Sequence, residues 1–275
     1  MLGCIWGSSF IMIKKILPCY TPIQYALGRV IATGLCFSIW LPQSIQKINK
    51  NQLKWLVIVA ATGYFMSYLF MGISQTRISS SLAGILSSLN PLATFVIGIA
   101  LFGQSFKWSN MAGITIGLVG CTLLVFSRSG GSIQFQFYSL FLILSIVVSG
   151  FSINVVQKKL KGLSALVIAS ISFGCLVLPC ALLFFTMTDW RHPFNHPAIV
   201  SCSLAFLFLT LVSTVFGSLV YFHLISRTGA LYTSTVTYII PMMAIFLGVL
   251  DGEVVGWTAL IGFSFIIGGI KLVRA

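Results

Sequence analysis

Long uncharged runs alternate with short clusters of lysine and arginine along most of the chain. Lys54 to Arg77 encloses 22 uncharged residues, Arg77 to Lys107 encloses 29 and Lys107 to Arg128 encloses 20. Arg128 to Lys158 encloses 29, Lys161 to Asp189 encloses 27 and Arg227 to Asp251 encloses 23. A helix rises about 1.5 Å per residue, so a hydrocarbon layer about 30 Å thick takes about 20 residues. Each gap therefore predicts one membrane-spanning helix. Arg191 to Arg227 encloses 35 residues, but Pro193 and Pro197 assign its start to a loop and leave one long helix from about Ala198. Glu253 to Lys271 encloses 17, enough for a short final span. Near the start, Pro18 and Pro22 divide an apolar first helix, Met1 to Leu17, from a second, Pro22 to Ile45, interrupted only by Arg29. The pattern predicts ten helices. The first run is short for a span, which predicts a native start a few residues upstream or a short, tilted helix. No charged segment with a small-residue cleavage site precedes it, so no cleavable signal peptide is expected.

Composition gives the same answer. The 275 residues are 58% hydrophobic and 7% charged, with a mean hydropathy of +1.05, whereas soluble domains carry roughly 25% charged residues. So few charges exclude a soluble globule of this size, and so much apolar surface excludes a disordered or collagen-like chain. Sixteen Lys and Arg face three acids, Asp189, Asp251 and Glu253, for a formal charge of +13. In a soluble chain that excess would point to nucleic acid; between membrane spans it sets orientation. With an even number of spans both termini share a side. That side carries Lys47, Lys50, Lys54, Lys107, Lys158, Lys159, Lys161, Arg227, Lys271 and Arg274. The other carries Lys14, Lys15, Arg77, Arg128 and Arg191, together with all three acids. The more basic side is expected to be cytoplasmic, with the protein multi-pass in the cell (inner) membrane. The expected partners are the lipid bilayer and a small-molecule substrate, with no nucleic acid.

The chain also matches itself. Arg77 and Arg227 each precede a helix with a proline fourteen residues later, Pro91 and Pro241. Beyond them Gly103-Gln104 aligns with Gly252-Glu253, Trp108 with Trp257, Gly113 with Gly262 and Gly120 with Gly269. This predicts a duplicated five-helix unit, residues 1–127 and 128–275. Five is odd, so the two units enter the membrane in opposite directions. Inverted repeats are common in secondary transporters, with a site near the midplane between the halves. Pro91 and Pro241 are hinge candidates in bent or broken helices there, or else simply kink packed helices.

These residues resemble a family. Trp6-Gly7-Ser8-Ser9-Phe10 opening a helix is similar to the start of EamA-domain transporters of the drug/metabolite transporter superfamily. Asn90-Pro91-Leu92 through Ala100-Leu101-Phe102-Gly103-Gln104, then Gly113 and Gly117-Leu118-Val119-Gly120, is similar to the end of an EamA unit. Arg29 stands where that family often has an arginine in its second helix. The resemblance implies an all-α integral membrane protein of ten transmembrane helices as two inverted five-helix repeats, both termini cytoplasmic. It also implies a central cavity formed mainly by helices one, three, four, six, eight and nine. One position departs: the family's usual acid after the fourth helix is Gln104 here, while Glu253 keeps it in the second unit.

Arg29 is the one charge well inside a predicted span, about 10 Å along its helix. No acid lies in any predicted span, so Arg29 must bond to carbonyls, hydroxyls, water or substrate, in a structural role or in substrate binding or gating. The same lack disfavours proton-coupled cation antiport, which commonly uses a carboxylate in the membrane, and favours diffusion or exchange of neutral, zwitterionic or anionic metabolites. Asp251 and Glu253 are expected near the outer surface. Tyr64 and Tyr68 share a helix face. With Trp6, Asn90, Asn154, Tyr232 and Tyr238 they form the candidate substrate-binding set, able to stack on and hydrogen-bond a planar or amino-acid-like ligand. Each also has a plainer reading as packing or interfacial anchoring, Tyr232 especially.

No cofactor is expected. Asp189, His192 and His196 make a poor metal set, because Pro193 and Pro197 interrupt helical presentation. Seven cysteines, an odd count without a paired motif, argue against disulfides and zinc. Gly113, Gly117 and Gly120, with Gly262, Gly268 and Gly269, permit close packing of helices five and ten, with each other or in a homodimer. No nucleophile-and-base set supports an enzyme. The reading is a transporter of a small organic metabolite, an amino acid or derivative first and a nucleoside-like or adenine-containing metabolite second. A channel or lipid scramblase is the remaining alternative.

Overall fold

A computed structural model describes residues 1–129, 137–191, 193, 196–243 and 257–274, and these are helical with short connections. The helices are α1, Leu2–Ile16; α2, Pro22–Ile45; α3, Lys50–Gln75; and α4, in two pieces, Ser80–Ser87 and Asn90–Phe102. Then come α5, Trp108–Ser129; α6, Ser139–Lys159; α7, Ala165–Met187; and α8, Ile199–Thr228. Last come α9, which begins as Ala230–Ser234, and α10, Trp257–Arg274. Among the described residues there is no strand, and six helices are long and apolar enough to cross a membrane: α2, α3, α4, α6, α7 and α8. The outer faces are apolar as well: on α7, Leu178 is 81% exposed and Leu182 and Phe185 lie open beside it. Such a surface suits hydrocarbon and not water.

Local chemistry explains where the helices start. The Thr21 hydroxyl accepts from Gln24 N–H at 3.3 Å while Gln24 Oε1 accepts from Thr21 N–H at 2.9 Å, and Pro22 takes the first helical position. Asn49 and Gln52 form the same reciprocal cap at α3. Both caps mark helix starts that the sequence predicts, one at Pro22 by its prolines and one just ahead of Lys54 by its charges.

Two helices widen into π turns at corresponding positions about 150 residues apart. These are Ala60–Met66 in α3 and Leu209–Phe216 in α8. In each a hydroxyl reaches back five residues: Ser67 Oγ donates to Thr62 O at 2.9 Å, and Thr214 Oγ1 to Leu209 O at 2.8 Å. The two proline helices are irregular too. Ser88 and Leu89 turn tightly between the pieces of α4, just before Pro91. A 3₁₀ turn over Thr235–Tyr238 in α9 just precedes Pro241. A proline offers no N–H to the preceding turn, so the backbone tightens there.

The glycine faces of α5 and α10 meet each other. A Cβ on Gly113 would lie 2.7 Å from Gly269 O, and one on Gly120 would lie 2.7 Å from Gly262 O. Gly268 is off this seam, with nothing within 4 Å of a Cβ there.

The cysteine expectation fails at one pair. Cys19, in the turn after α1, and Cys202, near the start of α8, form a disulfide with Cα atoms 6.5 Å apart. Counting parity could not detect it, because the partners are 183 residues apart and meet only when α8 packs along α1. Cys4, Cys36, Cys121, Cys175 and Cys180 are free.

Candidate functional site

A cavity of about 170 Å³ lies among the helices, with walls from α1, α2, α3, α4, α6, α8 and α9. Both π turns reach it, through Gly63 and Tyr64 of α3 and through Ser213 and Thr214 of α8. The family resemblance anticipates these helices, with α2 added through a single residue, Arg29.

Arg29 is 5% exposed and its contacts fix its plane. Nε donates to Thr214 Oγ1 at 2.8 Å, and Nη1 donates to Tyr25 Oη at 2.5 Å, one turn earlier on α2. The guanidinium stacks over the Tyr68 ring, 3.9 Å from its centre. A planar cation on an aromatic face with hydroxyls at its edge is held without a carboxylate. Thr214 also closes the π turn of α8, so Arg29 ties α2 to that irregular segment.

Trp6 anchors α1 to the same segment. Its Nε1 donates to Ser213 O at 3.2 Å, and its ring lies 4.7 Å from that of Tyr221. The indole fits because position 217 is glycine: a Cβ there would come 3.0 Å from Nε1. The Ser9 and Ser213 hydroxyls bond at 2.6 Å. Across the cavity, α3 and α6 are joined by Ser145 Oγ donating to Ser67 O at 2.8 Å, while Ser67 Oγ shares its proton between Thr62 O at 2.9 Å and Ser145 O at 3.3 Å.

Five of the eight nominated side chains line the cavity: Trp6, Arg29, Tyr64, Tyr68 and Asn90. Asn154, Tyr232 and Tyr238 do not. Asn154 is fully buried beyond the wall, where Nδ2 donates to Thr94 O and Gly150 O and Oδ1 accepts from Gln104. Gln104 Nε2 also reaches Gln157 Oε1 at 3.2 Å, which accepts in turn from Ala230 N–H. Gln104, at the departure from the family acid, thus links the ends of α4, α6 and α9 as a neutral amide. Tyr238 turns the other way, its ring against Gly117 and its hydroxyl donating to Ile114 O at 3.0 Å. Tyr232 packs in the small core of Phe95, Ile114 and Val273. Pro91 and Pro241 are buried in the helices they interrupt.

Sequence reasoning missed a band of hydroxyls on the wall. Ser145, Ser149 and Ser152 of α6 recur at helical spacing and line it, as do Ser213 and Ser218 of α8. On α6 their signal was the four- and three-residue spacing of small polar side chains in an otherwise apolar span, whereas Ser213 and Ser218 are five residues apart. It also missed Tyr221, whose buried hydroxyl has no hydrogen-bond partner among the described residues. No carboxylate is among the described lining residues. Among the described residues no group of three or more His, Cys, Asp or Glu could hold a metal. His192, Asp251 and Glu253 lie outside the described residues.

A sequence model of the EamA-like transporter family matches residues 1–126 and again residues 136–275. The chain belongs to this family. Its relatives include the S-adenosylmethionine/S-adenosylhomocysteine transporter of Chlamydia trachomatis, 22% identical over 98% of this chain and 85% of that one. Protein PagO of Salmonella typhimurium is 23% identical, covering 89% of this chain and 81% of its own. The uncharacterized transporter YdfC of Bacillus subtilis is 22% identical, covering 98% and 87%. A solved crystal structure shares the fold, with a TM-score of 0.64 at 17% identity, covering 98% of this chain and 95% of that one. As a member of the EamA-like transporter family the chain is a multi-pass membrane transporter with a small-molecule substrate.

Proposed function

We propose that the chain is a secondary transporter that moves a small organic metabolite across the cytoplasmic membrane by alternating access. Its ten spans form two inverted five-helix repeats, residues 1–127 and 128–275, with both termini in the cytoplasm. The observation that carries this reading is one cavity where paired irregularities from the two halves converge. The π turns of α3 and α8 line it, and α4 and α9, each interrupted before a proline, contribute Asn90 and Ile240. An inverted pair of bent elements around one site can exchange roles, opening first to one side and then to the other. Pro91 and Pro241 are the hinges of that exchange. The internal sequence match and the two-part family match support the duplication.

Aromatic faces, hydroxyls, one amide and one guanidinium suit an amino acid or a derivative. The lack of a carboxylate among the described lining residues supports exchange or facilitated diffusion rather than proton-coupled cation export. A second reading, an adenine-containing metabolite, is favoured by the chlamydial relative's name and by the Tyr64 and Tyr68 faces, whose ring centres are 6.0 Å apart. Competition against uptake into proteoliposomes separates them: amino acids compete under the first reading, and adenine compounds alone compete under the second. The orientation has its own test. A C-terminal reporter active only outside the cytoplasm is expected to stay silent, and a signal from it would refute the assigned topology.

A further inference from the structure

The geometry points to a substrate that must carry a carboxylate, bound by Arg29, and that does not depend on an ammonium group. This inference rests on the transporter reading above and names the substrate class of that same cavity. A buried cation is costly in hydrocarbon unless a partner offsets its charge. Tyr25 and Thr214 give Arg29 neutral oxygens and Tyr68 gives it an aromatic face, none of which brings a full negative charge. Of the three acids in the chain, Asp189 is not among the lining residues, and Asp251 and Glu253 lie outside the described residues. Among the described residues the cavity wall therefore carries one cation and no counter-ion. A guanidinium has five N–H donors, and these two hydrogen bonds use two of them. Its plane is already fixed by stacking, so a carboxylate can dock on the fork with little further ordering.

One cation offsets one negative charge, which selects a carboxylate over a phosphate monoester carrying about −1.5 to −2. The opposite end of an amino acid finds no such partner. Among the described lining residues an ammonium group would meet Ser and Thr hydroxyls, the Asn90 amide and aromatic faces, neutral contacts that tolerate its presence without requiring it.

The test uses purified full-length protein in detergent and reads protection against thermal unfolding. The probes are L-phenylalanine, 3-phenylpropionate without the ammonium and phenethylamine without the carboxylate. A second pair is S-adenosylhomocysteine and 5′-methylthioadenosine, which lacks the amino-acid portion, so either substrate reading is covered. Within at least one series the carboxylate-bearing probe is expected to protect at concentrations at least about tenfold lower than its carboxylate-free counterpart. In the phenyl series, 3-phenylpropionate is expected to stay within about threefold of phenylalanine. Arg29→Gln is expected to erase the tenfold ratio, whereas a purely structural role would weaken both members of a pair alike. The inference is overturned if, in a series whose carboxylate-bearing probe protects, phenethylamine or 5′-methylthioadenosine protects as well as its partner. It is equally overturned if no carboxylate probe protects, or if phenyl phosphate outranks all of them. Saturable exchange of a carboxylate-free solute would defeat this inference and leave the transporter reading standing. Linear, non-saturating flux would defeat the transporter reading itself.

Discussion

Exchanging Arg29 for leucine is expected to lower transport by at least about 100-fold while the protein still reaches the membrane and purifies as a single species. Leucine keeps an apolar body of useful size on α2 but removes the charge, the two hydrogen bonds and the cation over Tyr68. Hydrogen bonds from charged groups are worth about 1.5–3 kcal/mol each, so losing a charged substrate contact together with the link to α8 readily gives that factor. Folding is expected to suffer less. Thr214 keeps its bond to Leu209 O, and removing a buried charge offsets part of what Tyr25 loses when its partner goes. Initial uptake rates in proteoliposomes, normalised to protein inserted, check the prediction. Wild-type rates in Arg29→Leu would mean that the guanidinium neither binds substrate nor couples α2 to the π turn.

The second large effect concerns stability. Gly269→Val would put a Cβ 2.5 Å from Gly113 O and 2.7 Å from Gly117 N, where neither backbone can yield without parting α5 from α10. Overpacking of this kind costs typically 1–3 kcal/mol, and a clash with backbone belongs at the upper end, about 3 kcal/mol. Next to it, a Cβ at Gly268 meets nothing within 4 Å, so Gly268→Val is expected to be nearly neutral. Thermal unfolding in detergent compares the pair directly. Equal transitions for the two variants would show that the glycine seam contributes nothing to assembly.

Much of the fold was legible because charge is so costly in hydrocarbon that its spacing marks the helix ends. The gap from Lys54 to Arg77 predicts a helix found at Lys50–Gln75, and the proline turn near Pro18 separates α1 from α2 as read. The π turns were not legible. They depend on which carbonyl a hydroxyl reaches, and Ser67 and Thr214 are unremarkable as letters. The Cys19–Cys202 bond was hidden for a related reason, since only tertiary packing brings the two together.

The candidate site divides along the same line. Arg29, Trp6 and the Tyr64/Tyr68 pair stand out as rare residue types at the depth of a cavity, and they line it. Asn154 and Tyr238 stand out equally, yet their polar groups satisfy Gln104, Thr94 O and Ile114 O in the packing behind the wall. A polar side chain in an apolar helix signals that it needs a partner. Whether that partner is substrate or protein depends on neighbours 50 to 124 residues away.

Counterflow tests the central claim most directly. Proteoliposomes are preloaded with the unlabelled metabolite selected by the competition screen, and entry of the labelled form from outside is followed over time. Alternating access predicts a transient accumulation of label above its equilibrium level, with an initial rate that saturates as external concentration rises. Entry that increases linearly with concentration and never overshoots would identify an open pathway and contradict the account.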